Sequence, residues 1–405
     1  MFYPSTPISI SVELTYACPN SCQGCANALS KNKQEQLQDW KLLLDRIAPP
    51  EHRSKYAELI RLTGGEPTLH KDFPAIIEYI DSFDIDYAVF TSGRWQNDLL
   101  PLFTSCNNLT GLLISLHGKD AATHDPFVQA KDAFDEACTT IQRVTEAGIE
   151  VFTNSVLTKD VCEQLDDIIA LSQKLGANYT VFNRFLGPKH HQEPDEETLR
   201  HTLAAIEKYQ RQGVRCRLGN SIPPCFIETS SEGANSGIEH CVISPQGWVR
   251  PDSTMPYILG NIFEDSIETI WQAHKAQHYR QSLPAPCLQC IALPQCRGGY
   301  RLPIGDGQEF QPDRLMKEPL TQIPIHQVDL NPQWKPASLF INIRQEKFGY
   351  LLTRYNYSIP ASPQAYPLLT AIDGTMTLEQ LADQFGADCL DFIGYLYQNR
   401  FIYFQ

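Results

Sequence analysis

Short apolar runs alternate with segments of helical periodicity along the first half of the chain. Six runs have the length of strands and are rich in β-branched and aromatic residues. They are Ile8–Leu14, Glu58–Thr63, Tyr87–Thr91, Leu112–Leu116, Val151–Val156 and Tyr179–Phe185. Between them, Phe73–Phe83, Ala133–Ala147 and Val161–Leu175 repeat apolar residues with a helical period. Residues 1–215 therefore predict an α/β fold with a parallel sheet, either open and doubly wound or a partial barrel.

This rhythm is lost over residues 216–318, where prolines, glycines and cysteines are frequent. One hairpin is predicted at Val242–Arg250 and one helix at Ser266–His278. A region with so few long elements needs another source of stability, which a metal centre can supply. Residues 319–336 are rich in proline and predict a linker.

Residues 337–405 predict a small third domain. Leu339–Ile343 and Tyr350–Thr353 alternate like the strands of a hairpin. Thr377 and Gln380 have the spacing of a capping box at the start of a helix. Three helices are predicted here: Tyr366–Ile372, Leu378–Phe385 and Cys389–Asn399.

Composition and charge narrow the function classes. A formal net charge of −14 argues against a nucleic-acid-binding groove, which needs a basic surface. The sequence has no run long enough to span a membrane and no secretory signal, so we expect a cytoplasmic protein with no membrane partner. In that reducing compartment, the 13 cysteines indicate metal or iron–sulfur sites and not disulfides.

Two motifs follow the first two predicted strands. Cys18, Cys22 and Cys25 have the spacing C-x3-C-x2-C, and three thiolates on one loop can hold three irons of a [4Fe–4S] cluster while the fourth stays open. Thr63-Gly64-Gly65-Glu66-Pro67 ends the second strand. Its paired glycines allow close backbone approach, and its carboxylate can receive an ammonium group. Taken separately, the alternatives are a zinc site and an ordinary turn.

Together the two motifs resemble the radical S-adenosylmethionine (SAM) superfamily over residues 1–215. The resemblance implies a partial (β/α)6 barrel, in which Cys18, Cys22 and Cys25 hold a [4Fe–4S] cluster that binds SAM at its open iron. It also implies an electron donor such as flavodoxin or ferredoxin. One electron then cleaves SAM to a 5′-deoxyadenosyl radical, which abstracts a hydrogen atom from the substrate.

The same resemblance implies a set of SAM-binding residues at the strand ends. One departure from the family is Gly24, which stands where an aromatic residue commonly lies near the adenine, so the adenine must be supported from elsewhere. The implied residues are Gly64, Gly65 and Glu66 for the amino group, Ser92 beside Gly93 for the ribose side, and Ser115, Asn154 and Arg184 for ribose and carboxylate contacts.

A second group of cysteines, Cys287-x2-Cys290-x5-Cys296, resembles the core of SPASM domains. Upstream, Cys241-x5-Gly247-x4-Asp252 resembles the hairpin of those domains. Tyr300 and Asp252 stand where the family has two further cysteines, so the resemblance implies one auxiliary [4Fe–4S] cluster and not two.

The ligands of that auxiliary cluster are open at this point. A structural zinc ion in the same thiolates is the alternative to a cluster. The candidate sets are Cys225, Cys241, Cys287 and Cys290, which is similar to the shorter twitch arrangement, or Cys287, Cys290 and Cys296 with one further ligand.

The third domain, with its Asp373-Gly374 turn, resembles PqqD-type peptide-recognition domains, which are small winged-helix folds. That resemblance implies that a leader peptide adds a strand to the hairpin edge. DNA binding, the usual role of a winged helix, is disfavoured by the few basic residues of this segment.

These resemblances imply a maturase of a ribosomally synthesised precursor peptide, acting by backbone excision or splicing, crosslinking or epimerisation. A small-molecule radical SAM dehydrogenase or a sulfatase-maturing enzyme is the first alternative. A non-catalytic iron–sulfur or zinc scaffold that binds peptides is the second. No residue is assigned to substrate chemistry.

Overall fold

The computed structural model describes residues 2–27, 29–49, 57–186, 190–227, 233–322, 329–340, 342–354 and 357–405. Its first six strands pair in sequential order and all in parallel, which confirms the six predicted β-α units. These strands are β1 (Ser9–Thr15), β2 (Leu59–Gly64), β3 (Asp86–Thr91), β4 (Leu109–Ser115), β5 (Val151–Val156) and β6 (Tyr179–Asn183).

The helices of this region cover one face of the sheet with apolar side chains. The predicted helix Val161–Leu175 is two helices, because Gln164 leaves the helical conformation. Its side chain accepts a hydrogen bond from Lys119 N and donates one to Thr123 Oγ1. The helices are α1 (Trp40–Ile47), α2 (Phe73–Asp81), α3 (Leu100–Thr104), α4 (Ala121–Val128), α5 (Ala133–Glu146), α6 (Lys159–Glu163), α7 (Leu165–Lys174) and α8 (Glu196–Arg211).

Alternation along the strands separates two faces of the sheet. In β5, Thr153 faces the helices, since its hydroxyl lies 2.8 Å from the hydroxyl of Ser172 on α7. Its neighbours Phe152 and Asn154 therefore point to the opposite face and are only partly buried. That opposite face carries the polar side chains on which a cofactor site depends.

The main sheet extends beyond the boundary predicted at residue 215. β7 (Cys216–Leu218) pairs with β6, and β8 (His240–Ile243) pairs in parallel with β1. β9 (Trp248–Arg250) and β10 (Gly260–Asn261) complete a ten-stranded sheet with the order β10-β9-β8-β1-β2-β3-β4-β5-β6-β7. The predicted hairpin is thus present as β8–β9, but it belongs to the main sheet, because the other edge of β1 is free to pair.

The rest of this region consists of short elements. The helix predicted at Ser266–His278 is divided at Ala273, which has extended backbone angles. The elements are α9 (Ile267–Gln272), α10 (His274–Gln281), α11 (Leu293–Cys296), β11 (Leu302–Ile304) and β12 (Glu309–Gln311).

The C-terminal unit combines a three-stranded antiparallel sheet, β14 (Asn342–Glu346), β15 (Gly349–Arg354) and β16 (Tyr357–Ala361), with three helices. The helices and the capping box of Thr377 and Gln380 were predicted and are present. β16 and the β13–β17 ladder were missed, because Pro360 and Pro336 disfavour strands in a sequence. The remaining elements are β13 (Pro336–Ser338), α12 (Tyr366–Ala371), α13 (Leu378–Phe385), α14 (Cys389–Gln398) and β17 (Ile402–Phe404).

Residues 323–328 of the predicted linker lie outside the described residues. None of the helices that the structure describes has the length and apolar character needed to cross a bilayer.

The C-terminal unit contacts the amino-terminal ends of the main strands. Arg344 on β14 donates to the hydroxyl and the carbonyl oxygen of Thr6, which precedes β1. Thr353 on β15 donates to the carboxylate of Glu58, which precedes β2. This unit therefore lies at the amino-terminal ends of the strands, whereas the cysteine loop leaves the carboxyl end of β1.

Candidate active site and auxiliary metal centre

The loop with Cys18, Cys22 and Cys25 leaves the carboxyl end of β1. The backbone N–H groups of Ser21 and Gln23 donate to the carbonyl oxygens of the last two residues of α4, at 2.9 and 2.8 Å. Cys25 N donates to Cys22 O at 3.2 Å, which closes a tight turn between the second and third cysteines. The three predicted ligands thus lie on one loop that is anchored to a helix.

The thiols of this loop influence one another. The pKa of Cys18 is raised to about 11 and that of Cys22 to about 12, mainly by burial and in part by the negative charge of Cys25. In the metal-free chain these two cysteines are therefore protonated at neutral pH. Metal binding must displace their protons, as it does at other thiolate sites.

Gly64 and Gly65 bring the end of β2 against the segment that enters the cysteine loop. A Cβ atom at Gly64 would lie 2.3 Å from Thr15 O, and one at Gly65 would lie 2.3 Å from Ala17 O. Gly65 N and Glu66 N donate to these same two oxygens, each at 2.7 Å. The close approach predicted for the glycines is therefore seen between backbone and backbone, and it holds the loop in place.

The fully buried carboxylate of Glu66 joins the ends of β2 and β3. It accepts hydrogen bonds from Thr68 Oγ1 and Thr91 Oγ1, both at 2.7 Å, and from Ser92 N and Ser92 Oγ at 2.7 and 2.6 Å. Its charge contributes to the raised pKa of Cys18, although burial has the larger effect. Two residues implied separately, Glu66 and Ser92, thus form one hydrogen-bonded group beside the cysteines.

Ser115 and Asn154 are direct neighbours in the register of β4 and β5. Asn183 at the end of β6 donates to Asn154 Oδ1 at 2.5 Å, so three neighbouring strands carry a polar row near their carboxyl ends. Asn183 was not among the predicted residues. The two-residue alternation of β6 could have identified it.

Arg184, implied as a SAM contact, directly follows β6, and its side chain is buried in an ion pair. Its guanidinium forms a bidentate ion pair with Asp313, at 2.6 and 3.1 Å, and donates to Ser221 O at 2.9 Å. Asp313 also accepts hydrogen bonds from Tyr300 N and Leu315 N. The charge of Arg184 is therefore neutralised inside the protein, where it ties β6 to the segment after β12.

The space beside Gly24 is filled from another strand. Gly24 has φ = +75°, and a Cβ atom there would lie 2.7 Å from Cε1 of Phe185, which follows β6. Phe185 is buried in a cluster that includes Cys22, and the His190 ring stacks on it at 5.0 Å. An aromatic ring from the end of β6 thus occupies the space next to Gly24.

Cys225 and the three cysteines of the second group line a single hollow. Cys225 lies between β7 and β8, Cys287 and Cys290 lie in and after a short 3₁₀ turn, and Cys296 ends α11. The pKa of Cys296 is raised to about 12, mainly by burial and in part by the negative charges of Cys225 and Cys287. The structure therefore joins Cys225 to the triplet of the second candidate set.

Backbone N–H groups point at three of these sulfurs. Lys317 N lies 3.3 Å from Cys225 Sγ, and Leu320 N lies 3.3 Å from Cys290 Sγ. The backbone N–H groups two and three residues beyond Cys296 donate to its sulfur and lower its pKa. Donors of this kind stabilise thiolate ligands and tune iron–sulfur clusters, so this donor set fits a cluster.

Cys241 does not belong to this group. It lies in β8, opposite Ile10 of β1, fully buried in the apolar core, and burial raises its pKa. Asp252, the other upstream candidate, accepts hydrogen bonds from Ser236 and Thr254. The set that pairs Cys225 with Cys241 is thus not supported, because β8 places Cys241 inside the main sheet. No three His, Cys, Asp or Glu side chains in the described ranges converge on one metal-ion position.

Comparison with protein families identifies two domains. Residues 12–172 match the radical SAM superfamily, and residues 235–291 match SPASM, an iron–sulfur cluster-binding domain. The first match contains the three-cysteine loop and the Glu66 group. The second contains Cys287 and Cys290 and ends before Cys296.

Two curated relatives are each 26% identical to the chain. The sporulation killing factor maturation protein SkfB of Bacillus subtilis matches over 274 residues, which are 65% of this chain and 64% of SkfB, just under two thirds of its length. The mycofactocin maturase MftC of Mycolicibacterium smegmatis matches over 320 residues, 72% of this chain and 78% of MftC.

Among solved structures, Streptococcus suis SuiB bound to the precursor peptide SuiA superposes with a TM-score of 0.63. The match covers 77% of this chain and 76% of SuiB, at 15% identity. At that identity the likeness concerns the fold.

Proposed function

Because residues 12–172 match the radical SAM superfamily and residues 235–291 match the SPASM domain, we propose that the chain modifies a ribosomally synthesised precursor peptide. Its cofactors are SAM, a [4Fe–4S] cluster and an auxiliary iron–sulfur cluster. The names of the relatives, a killing-factor maturation protein and a mycofactocin maturase, support a peptide substrate, as does a fold neighbour bound to a precursor peptide. The observation that carries the proposal is the anchored three-thiol loop beside the Glu66 group.

Cys18, Cys22 and Cys25 would hold the cluster that binds SAM. When bound and reduced, the two cofactors supply a 5′-deoxyadenosyl radical that removes a hydrogen atom from the substrate. The chain orients them: Glu66 presents a buried carboxylate that four neutral donors keep in one place. Such a preorganised carboxylate favours an ammonium group without having to reorganise.

Phe185 would support the adenine in place of the aromatic residue that Gly24 replaces. Its ring is held by the stacked His190 and by the apolar cluster at the end of α4, so it offers a rigid apolar surface next to Cys22. Ser115 and Asn154 would bind polar groups of the cofactor from the adjacent strands.

Cys225, Cys287, Cys290 and Cys296 would hold the auxiliary cluster. The backbone donors at three of the four sulfurs support this set. One ligand would then come from the connection to β8 and three from the segment around α11, so cluster assembly would join two separate stretches of chain.

The C-terminal unit would bind the leader part of the peptide at the free edge of β16. The β14–β15 turn has two residues, so Gly349, Leu351 and Thr353 bond to β14, and their neighbours bond to β16. Ser358 and Pro360 therefore face outward, and within β16 the outward N–H donor is that of Ser358. An added peptide strand would need that donor.

The edge of β16 lies close to the auxiliary site. Ser358 Oγ donates to Glu239, which pairs with Arg297 at 2.7 Å, and Arg297 directly follows Cys296. Tyr395 on α14 is half-exposed; burial raises its pKa, and the positive charge of Arg297 opposes that rise. A peptide bound at this edge would therefore lie close to Arg297 and to Cys296, a proposed cluster ligand.

The test is anaerobic reaction of the reconstituted chain with a synthetic precursor encoded by a neighbouring reading frame. We expect 5′-deoxyadenosine and a peptide of changed mass, both lost in the Cys18→Ala/Cys22→Ala/Cys25→Ala variant. Formation of S-adenosylhomocysteine alone would indicate methyl transfer and contradict the proposal. Cleavage of SAM coupled to a small molecule and to no peptide would favour a dehydrogenase.

A further inference from the structure

A buried arginine with unused hydrogen-bond donors lies behind the proposed auxiliary site. Arg301 is 1% exposed, and its Nη1 donates to Tyr279 O at 3.0 Å and to Ser282 O at 2.6 Å. Its Nε and Nη2 atoms are buried and have no hydrogen-bond partner among the residues that the structure describes. The guanidinium lies over the Tyr279 ring at 4.8 Å. A buried cation that meets only carbonyl oxygens and a ring is costly unless a negative charge is nearby.

The position of Arg301 identifies where that negative charge would lie. Its Nε is 3.7 Å from the point that a Cβ atom of Gly298 would occupy, and the backbone N–H of Gly298 donates to Cys296. Gly298 itself lines the hollow that Cys225, Cys287, Cys290 and Cys296 line. Arg301 is thus separated from the hollow of the four cysteines by one glycine turn.

We propose that Arg301 is a positioning residue whose positive charge acts on the auxiliary cluster and raises the reduction potential of that cluster. The inference rests on the proposed cluster at Cys225, Cys287, Cys290 and Cys296. Four thiolates around a [4Fe–4S] core leave a net negative charge, which becomes larger when the cluster gains an electron. A buried cation stabilises the reduced state more than the oxidised state and therefore favours reduction.

The chain contains a matched control. Arg280 is also buried, donates to Gly237 O and Trp271 O, and has an Nη2 atom without a partner in the described part of the chain. Its charge acts on Cys241, which lies in β8 and outside the four-thiol group. Substituting either arginine therefore removes a buried cation, but the cation close to the four thiols is removed by the substitution at Arg301 and not by the one at Arg280.

The experiment uses the full chain with Cys18→Ala/Cys22→Ala/Cys25→Ala, so that the auxiliary cluster is the one observed. Its midpoint potential is measured by a dithionite titration followed by electron paramagnetic resonance. At a fixed poise, Arg301→Gln should lower the ratio of reduced to oxidised cluster about tenfold, which is about 59 mV for a one-electron couple. Arg301→Lys, which keeps the charge, should retain most of the original ratio, and Arg280→Gln should leave it unchanged.

The outcomes separate this inference from the proposed function. If the triple variant carries no cluster, the proposed auxiliary cluster is wrong, and the inference falls with it. If the cluster is present and Arg301→Gln leaves its potential unchanged, or Arg280→Gln shifts it equally, the role of Arg301 is wrong and the cluster stands. If the Arg301→Gln variant does not bind the cluster, retention of the cluster in Arg301→Lys supports the role of the positive charge. Loss of the cluster in both variants overturns that role.

Discussion

Replacing Arg184 with methionine removes the cation from the buried ion pair that joins β6 to the segment after β12. The two side chains are 5% and 1% exposed, so solvent can replace neither partner. Removing one partner of such a pair costs about 3–5 kcal/mol. Asp313 keeps the N–H donors of Tyr300 and Leu315, which places Arg184→Met near the lower end, at about 3 kcal/mol.

The opposite change should cost more. Asp313→Leu leaves the guanidinium of Arg184 buried with Ser221 O as its remaining acceptor, and it also strands two backbone donors, so about 5 kcal/mol is expected. The double variant Arg184→Met/Asp313→Leu should lose less than the sum of the two single changes, by about 2 kcal/mol, because neither charge is then stranded.

The assay is urea unfolding of the metal-free chain, followed by far-ultraviolet circular dichroism. The matched control is Arg314→Met, which breaks a partly exposed pair with Glu193 and should cost less than about 1 kcal/mol. SAM affinity of the reconstituted Arg184→Met protein, measured by calorimetry, should change little. Unfolding like that of the wild type together with a tenfold loss of SAM affinity would refute the structural role and restore Arg184 as a SAM contact.

Three further predictions concern other parts of the chain. Cys225→Ser in the triple-alanine background should lower bound iron from about four atoms per chain to near zero, whereas Cys241→Ser should leave it near four; loss of the iron in both variants would restore the twitch-like set. Burial lowers the pKa of His117 to about 3, so between pH 6.5 and that value the unfolded state binds more protons and stability falls as pH falls. His117→Gln should therefore abolish about 2 kcal/mol of the loss in unfolding free energy between pH 6.5 and 5, and an unchanged pH slope would contradict this. Ser358→Pro should weaken leader binding to the full chain at least tenfold, because it removes the outward N–H of β16, while Ser358→Ala should bind normally; equal effects of the two variants would argue against strand addition.

Local sequence determined the architecture of the first half of this protein. Apolar alternation in Val151–Val156 and the helical period of Ala133–Glu146 reflect interactions between near neighbours, and such patterns specify an element wherever it lies. The C-x3-C-x2-C loop and the Gly-Gly-Glu turn were recognisable for the same reason. Each is a short segment whose chemistry depends on residues a few positions apart.

The choice of partners between distant segments was decided only by the tertiary structure. Cys225 and Cys241 belonged to one candidate set in the sequence, and the parallel pairing of β8 with β1 buried Cys241 in the core, away from the hollow that Cys225 lines. Arg184 meets Asp313, 129 residues away, and Phe185 fills the space next to Gly24. Such contacts follow from how loops close over a sheet, and no periodicity of the chain encodes which remote side chain a buried charge or an open space will meet.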